Sequence, residues 1–136
     1  MKAVFVDTSY WIALLYTHDH LHAKVAAISQ RLSAVKLVTS EMVLTELLNG
    51  LSNGSPRMRS LAVREVEGIR MSESVIVFPQ TTEQFTQALE RYKQSADKSW
   101  SLTDCASFHI METERISAAL THDHHFVQAG FEALLR

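Results

Sequence analysis

Apolar residues along this chain fall into two alternating rhythms, short β-rich runs and longer segments of helical period. Ala3 to Val6 is a run of the first kind and reads as a strand. It stops on Asp7, and Thr8 or Ser9 can cap a short helix from Tyr10 to Leu15. Leu21, Val25, Ile28, Leu32 and Val35 then recur at steps of three and four, the stripe of an amphipathic helix. Lys36 to Thr39 is a second strand. The helix after it is expected to bury Val43, Leu44, Leu47, Leu48 and Leu51 before Asn53-Gly54 breaks it. Pro56 to Ile69 reads as a further helix, with Arg57, Arg59, Arg64 and Arg70 along it.

The same alternation continues to the end of the chain. Val75 to Phe78 is a third strand, closed by Pro79, and Thr81 with Gln84 makes a capping box for a helix carrying Phe85, Ala88, Leu89 and Tyr92. Ser101 with Asp104 could form a second box, opening a helix through Phe108, Ile110 and Met111. Ala118 to Leu120 is a short strand, and Phe131 to Leu134 is a candidate for the last one. Strands alternating with helices predict an α/β fold with a parallel sheet covered on both faces. In such sheets ligands bind outside the carboxyl ends of the strands. Asp7 directly follows one strand and Asp123 lies just beyond another, so two carboxylates are expected at that edge.

Composition narrows the picture. A chain of 136 residues with 46% hydrophobic and 21% charged residues fits one globular domain, residues 1–136. A formal net charge of -2 excludes coating nucleic acid by bulk electrostatics, though not a local basic patch. The single cysteine, Cys105, excludes an internal disulfide framework and a Cys-rich zinc module, and leads us to expect a cytoplasmic protein. Lys2 and the apolar stretch to Leu15 faintly resemble a signal peptide. Asp7, Thr8 and Ser9 interrupt that stretch, and no cleavage pattern precedes His18. With no apolar run near the roughly 18 residues of a membrane span, a soluble chain is expected.

Two more acids can reach the same edge. Glu46 projects away from the leucine stripe of its helix, and Asp104 lies in a first helical turn, where its carboxylate could face the strand ends. Each has an ordinary alternative. Asp7 could cap a helix, Glu46 could be solvated, Asp104 could be half of a capping box, and Asp123 could be turn chemistry. The case lies in their convergence. Two unit charges about 4 Å apart repel by roughly 4 kcal/mol at an effective dielectric near 20, so such a cluster must bind a cation or hold protons. Oxygen ligands favour Mg²⁺ or Mn²⁺, whose chemistry serves phosphodiester hydrolysis.

"VDTSYW", "TSEMVLTELLNG", "WSLTDCASFHIM" and "ALTHDHHFVQAGF" together resemble PIN domains, most of all the bacterial VapC-type ribonucleases that act as toxins in toxin–antitoxin pairs. The resemblance spans essentially the whole chain. It implies a Mg²⁺- or Mn²⁺-dependent endoribonuclease, an α/β/α sandwich with a mainly parallel sheet, a homodimer, and a small antitoxin partner that blocks the site. Its acidic quartet falls on Asp7, Glu46, Asp104 and Asp123, with Thr8 or Ser9 as a hydroxyl neighbour and Asp97 as a weaker outer candidate. Arg57, Arg59, Arg64, Lys93 and Lys98 are candidate phosphate contacts, although solvated helix faces explain most of them.

Other readings remain. They are an RNA-processing nuclease with no toxin role, and a non-catalytic RNA-binding scaffold of the same fold. Aspartyl-phosphate chemistry of the haloacid-dehalogenase type would want an aspartate where Ser9 stands, and a receiver-type acidic pair is missing. Zinc at His18, His20 and His22, or at His122, His124 and His125, is disfavoured: i, i+2 spacing does not gather the first trio on one helix face, and the second lies in a stretch the resemblance already explains. These histidines are expected mostly at the surface or in caps.

Overall fold

In the computed structural model, which describes residues 2–136, five parallel strands form one sheet flanked by helices, an α/β/α sandwich. The strands are β1 (Ala3–Val6), β2 (Lys36–Ser40), β3 (Val75–Phe78), β4 (Ala118–Leu120) and β5 (Glu132–Ala133), in spatial order β3-β2-β1-β4-β5. The helices are α1 (Thr8–Leu15), α2 (His22–Ser29), α3 (Glu41–Gly50), α4 (Pro56–Met71), α5 (Thr82–Gln94), α6 (Leu102–Glu114) and α7 (His124–Gln128).

The most apolar strand takes the centre. Val4, Phe5 and Val6 of β1 are fully buried, as are Ala119 and Leu120 of β4 beside them. A strand buried on both faces reads as a continuous apolar run, which is how β1 looks in the sequence. Phe108 of α6 stacks edge-on against Phe126 of α7, with ring centroids 5.0 Å apart, and Phe126 in turn meets Phe5 of the sheet. Burying each of these rings contributes about 2–3 kcal/mol. The contact also packs α6, with Asp104 in its first turn, and α7, capped by Asp123, against the sheet.

Register places the acids. Phe5 pairs with Ala119 and Val6 with Leu120, so Asp7 follows β1 at the level where Thr121 follows β4. The Asp7 backbone N–H extends that ladder by donating to the Leu120 carbonyl at 3.2 Å. On the other side β2 runs straight into α3, whose N-terminus Ser40 caps by accepting the Val43 N–H. No loop intervenes, so Glu46 has a fixed position relative to β1.

The structure corrects several expectations. The first helix begins at Thr8, not Tyr10, because Asp7 itself occupies the cap position. The stripe from Leu21 to Val35 is not one helix: α2 ends at Ser29, and Leu32 and Val35 reach the core from the turns that follow. Leu48 is exposed rather than buried, since it lies off the face of α3 that holds Val43, Leu44 and Leu47. The box at Thr81 is half made. Thr81 accepts the Gln84 N–H, while the Gln84 Oε1 is buried without a partner. Phe85, Leu89 and Tyr92 of α5 stand exposed. The last strand is only Glu132–Ala133, and α7 is a short helix that the sequence pattern did not predict. Among the described residues, no helix is long and apolar enough to cross a membrane.

Candidate active site

For Asp7 the sequence left a helix cap and a ligand role open, and its side chain does not take the first. It occupies the cap position of α1, yet makes no capping hydrogen bond. Its carboxylate instead accepts the Thr121 hydroxyl at 2.8 Å, across the β1–β4 boundary. Only 6% of Asp7 is exposed. Burial pushes its pKa from 3.8 to about 7, with Asp104 and Glu46 adding repulsion and the Thr121 bond partly offsetting it. Protein groups alone therefore do not compensate this charge.

Glu46 approaches from α3. Its Oε1 accepts the Thr8 hydroxyl at 2.6 Å, tying the first turn of α1 to the middle of α3. A cleft of about 220 Å³, lined by Met42, Thr45, Glu46, Asn49, Gln80 and Thr103, opens beside it. A larger cleft of about 300 Å³ lies between α5 and α6, lined by Phe78, His109 and Thr113 among others, and none of the four acids borders it.

Asp104 and Asp123 arrive from the opposite side. Ser101 and Asp104 form a complete capping box at the start of α6, in which Asp104 Oδ2 accepts the Ser101 N–H at 3.0 Å. The cap orients the carboxylate and leaves it buried at 7% exposure. Burial again raises the pKa, Asp123 repels in the same direction, and the Ser101 and His125 hydrogen bonds oppose the rise. Asp123 caps α7 through the His125 N–H at 2.9 Å. The imidazole of the same residue, through Nδ1, lies 3.1 Å from Asp104 Oδ2 and 3.2 Å from Asp123 Oδ1.

These contacts join all four acids in one chain of polar groups. Glu46 is held by Thr8, the residue after Asp7. Asp7 is held by Thr121, whose Oγ1 also accepts the Asp123 N–H at 3.0 Å, and Asp123 is linked to Asp104 by His125. Of the linking members, sequence reasoning passed over Thr121 and met His125 only in the zinc trio His122, His124 and His125 that it disfavoured. The signal for His125 was its position two residues after Asp123, where a backbone N–H and a side chain can address the same carboxylate. The histidines were instead assigned to the surface or to caps. Nothing local marked Thr121, because its partner is 114 positions away.

The remaining candidates fall outside this chain. Ser9 accepts the His122 N–H at 3.4 Å. Asp97 is exposed and paired with Lys98 at 2.6 Å, which holds its carboxyl below the usual range. Lys98 is thereby engaged, Lys93 lies 3.7 Å from Glu90, and Arg59 donates to the Ser52 carbonyl, while Arg57 and Arg64 are exposed on α4.

The donor set suits a divalent cation. Two buried carboxyls with raised pKa values and two less buried ones supply hard oxygens with no thiolate among them, since Cys105 makes no part of the linked set. Among the described residues, the trio whose donor atoms all lie within 4.8 Å of one another is Asp123, His124 and His125. A cation able to bring in Asp7 would meet an unmet electrostatic demand.

Comparison with known proteins gives a consistent result. The PIN domain model matches residues 4–132. The chain is 32% identical over 131 residues to the 23S rRNA-specific endonuclease VapC20 of Mycobacterium tuberculosis, in both strain CDC 1551 and strain H37Rv, covering 94% of this chain and 95% of the relative. The crystal structure of M. tuberculosis VapC20, described as a sarcin–ricin loop cleaving toxin, superposes with a TM-score of 0.84 at 30% identity, covering 94% of this chain and 95% of that one. FitAcB from Neisseria gonorrhoeae shares the fold, with a TM-score of 0.66 at 15% identity over 96% of this chain and 94% of its own.

Proposed function

From the premise that this chain belongs to the PIN-domain family, we propose that it is a metal-dependent endoribonuclease, the toxin of a type II toxin–antitoxin pair, acting on a ribosomal RNA loop. The observation that carries the reading is the linkage of Asp7, Glu46, Asp104 and Asp123 through Thr8, Thr121 and His125 at the carboxyl edge of the sheet. Its substrate follows from similarity to a relative named for 23S rRNA. A homodimer and a small antitoxin covering the acidic edge complete the proposal.

Asp7, Asp104 and Asp123 would hold Mg²⁺ or Mn²⁺ in this site. Such an ion, when bound, acidifies water and offsets charge on the leaving oxygen. The protein's own contribution is placement. Glu46 orients the attacking water and takes its proton, and the Thr8 hydroxyl holds the Glu46 carboxylate beside the residue that follows Asp7. Asp104 is locked by its capping box and Asp123 by the cap of α7, so both oxygens are fixed before RNA arrives. Phosphate contacts along the RNA would come from exposed arginines, Arg57 and Arg64 being unengaged by the ion pairs above.

A scaffold without catalysis is the weaker reading, because every acid of the quartet is present and the four are tied together. The test is incubation of the purified chain with a 23S rRNA fragment carrying the sarcin–ricin loop, with Mn²⁺, with EDTA, and with Asp104→Asn. Discrete cleavage that needs the ion and is lost in the variant is expected. Equal cleavage by both proteins would indicate a contaminant and return the chain to the scaffold class. Growth arrest on expression, abolished by Asp104→Asn, is expected of a toxin; an active enzyme that causes no arrest would be a processing nuclease.

A further inference from the structure

We propose that His125, assisted by His124, supplies nitrogen ligands to the cation at the Asp104–Asp123 corner, making this centre selective for Mn²⁺, Co²⁺ or Zn²⁺ over Mg²⁺. The inference rests on the cation centre proposed above and extends it to the identity of the ion.

The two distances from His125 have the spacing of neighbouring donors on one ion, and Asp123, His124 and His125 form the trio whose donor atoms all lie within 4.8 Å of one another. Two donors bound to the same ion at about 2.1 Å, at angles of roughly 90–110°, are about 3.0–3.4 Å apart. His125 Nδ1 lies 3.1 Å from Asp104 Oδ2 and 3.2 Å from Asp123 Oδ1. Without an ion the Nδ1 hydrogen fills that space, donated to the two carboxylates. His125 Nδ1 and Asp123 would hold a cation in the place of that hydrogen, with His124 completing the compact trio and Asp104 Oδ2 drawn in from beside the same ring nitrogen. His124 Nδ1 stands 3.8 Å from the same Asp123 oxygen, on a more exposed side chain that can close the gap by rotation.

The far side of the ring supports this assignment. When Nδ1 binds a metal, Nε2 carries the hydrogen and needs an acceptor, and metal-bound imidazoles nearly always have one. Ser99 Oγ lies 3.2 Å from His125 Nε2. His125 thus has two carboxylate oxygens on one nitrogen and an orienting hydroxyl on the other. A histidine needed only to cap α7 would require neither, since its backbone N–H already performs that task.

Nitrogen at this corner decides between ions. Mg²⁺ prefers oxygen and water and gives up its waters reluctantly, whereas Mn²⁺, Co²⁺ and Zn²⁺ accept imidazole, with increasing affinity along the first-row series. Asp7 and Glu46 on the other flank remain oxygen-only, so the preference resides in the α7 half of the site.

The experiment is calorimetric titration of the full chain with CoCl₂ and with MgCl₂, for wild type, His125→Asn, His124→Ala and Asp104→Asn. Asn retains an N–H for the two carboxylates but lacks the imidazole lone pair, which separates ligation from positioning. Co²⁺ affinity should fall about tenfold or more in His125→Asn and less in His124→Ala, with Mg²⁺ affinity changed no more than about twofold. A Co²⁺-loaded wild-type sample should also show a hyperfine-shifted, exchangeable imidazole N–H proton by NMR. If His125→Asn binds Co²⁺ like wild type while Asp104→Asn does not, the acidic centre stands and the nitrogen-ligand inference is overturned. Unchanged affinity in all three variants would overturn both. Lack of the shifted N–H signal at saturating Co²⁺ overturns the inference whatever the folding of the variants.

Discussion

A carboxyl with a pKa of about 7, buried at the end of the central strand, is expensive for a metal-free protein to keep ionised at neutral pH. The sign follows from proton binding. Between about pH 4 and 7 the folded chain holds a proton on Asp7 that the unfolded chain has released, so this contribution is full at low pH. It declines as pH rises through about 7 and is flat above it, and the loss should reach about 3–4 kcal/mol. In EDTA, urea unfolding of wild type should show this decline, and Asp7→Asn should remove it and be about 2 kcal/mol more stable at pH 8. With saturating Mn²⁺ the order should reverse, because only wild type gains from the ion. Thr121→Val tests the neighbouring link. It removes the hydroxyl that both donates to Asp7 and accepts from the Asp123 N–H. Folding should weaken by about 1–2 kcal/mol, with one buried acceptor losing its donor, and Mn²⁺ should bind more weakly by calorimetry.

Individual elements act here as holders of acids, and their caps are where holding and stability meet. Ser101→Ala should lower stability by about 1 kcal/mol, the usual cost of a lost cap. It should also weaken Mn²⁺ binding, because the freed start of α6 no longer fixes Asp104. A control lies at the other end of the same helix. Arg115 closes α6 in the left-handed region at φ 58°. Arg115→Gly should stabilise the chain by about 0.5–1 kcal/mol and leave metal affinity unchanged.

Legibility at this scale followed element length and burial. Strands β1, β3 and β4 were read to the residue, since a compact apolar run between breakers leaves little choice of ends. The stripe from Leu21 to Val35 misled because turns after α2 place Leu32 and Val35 on the core side that a continuing helix would have used. Helix α7 escaped notice because its five residues are too few to show a period. The helical face of Phe85, Leu89 and Tyr92 was visible, but not that it would remain uncovered.

At the scale of the molecule, one property of parallel sheets explains why the acids could be found from sequence. Every strand points the same way, so residues that follow strands or open the next helices collect at one edge. Asp7 and Asp123 were legible through that rule, and Glu46 and Asp104 through their helical positions together with the family resemblance. Thr121 and His125 were not, since their roles depend on which strands and helices become neighbours. Four acids in a chain of net charge -2 also concentrate negative potential at one edge, so a cation bound only to the folded form should raise the unfolding midpoint. That gain is about 2.7 kcal/mol at 100 times the dissociation constant, and it should be absent from Asp104→Asn.

The most direct measurement is anomalous diffraction from crystals of the full chain grown with Mn²⁺. A peak within about 2.0–2.4 Å of carboxylate oxygens from Asp7, Asp104 and Asp123 together is the expected result. A saturated crystal with no peak at that edge, or with those three carboxylates turned away from a common point, would contradict the account.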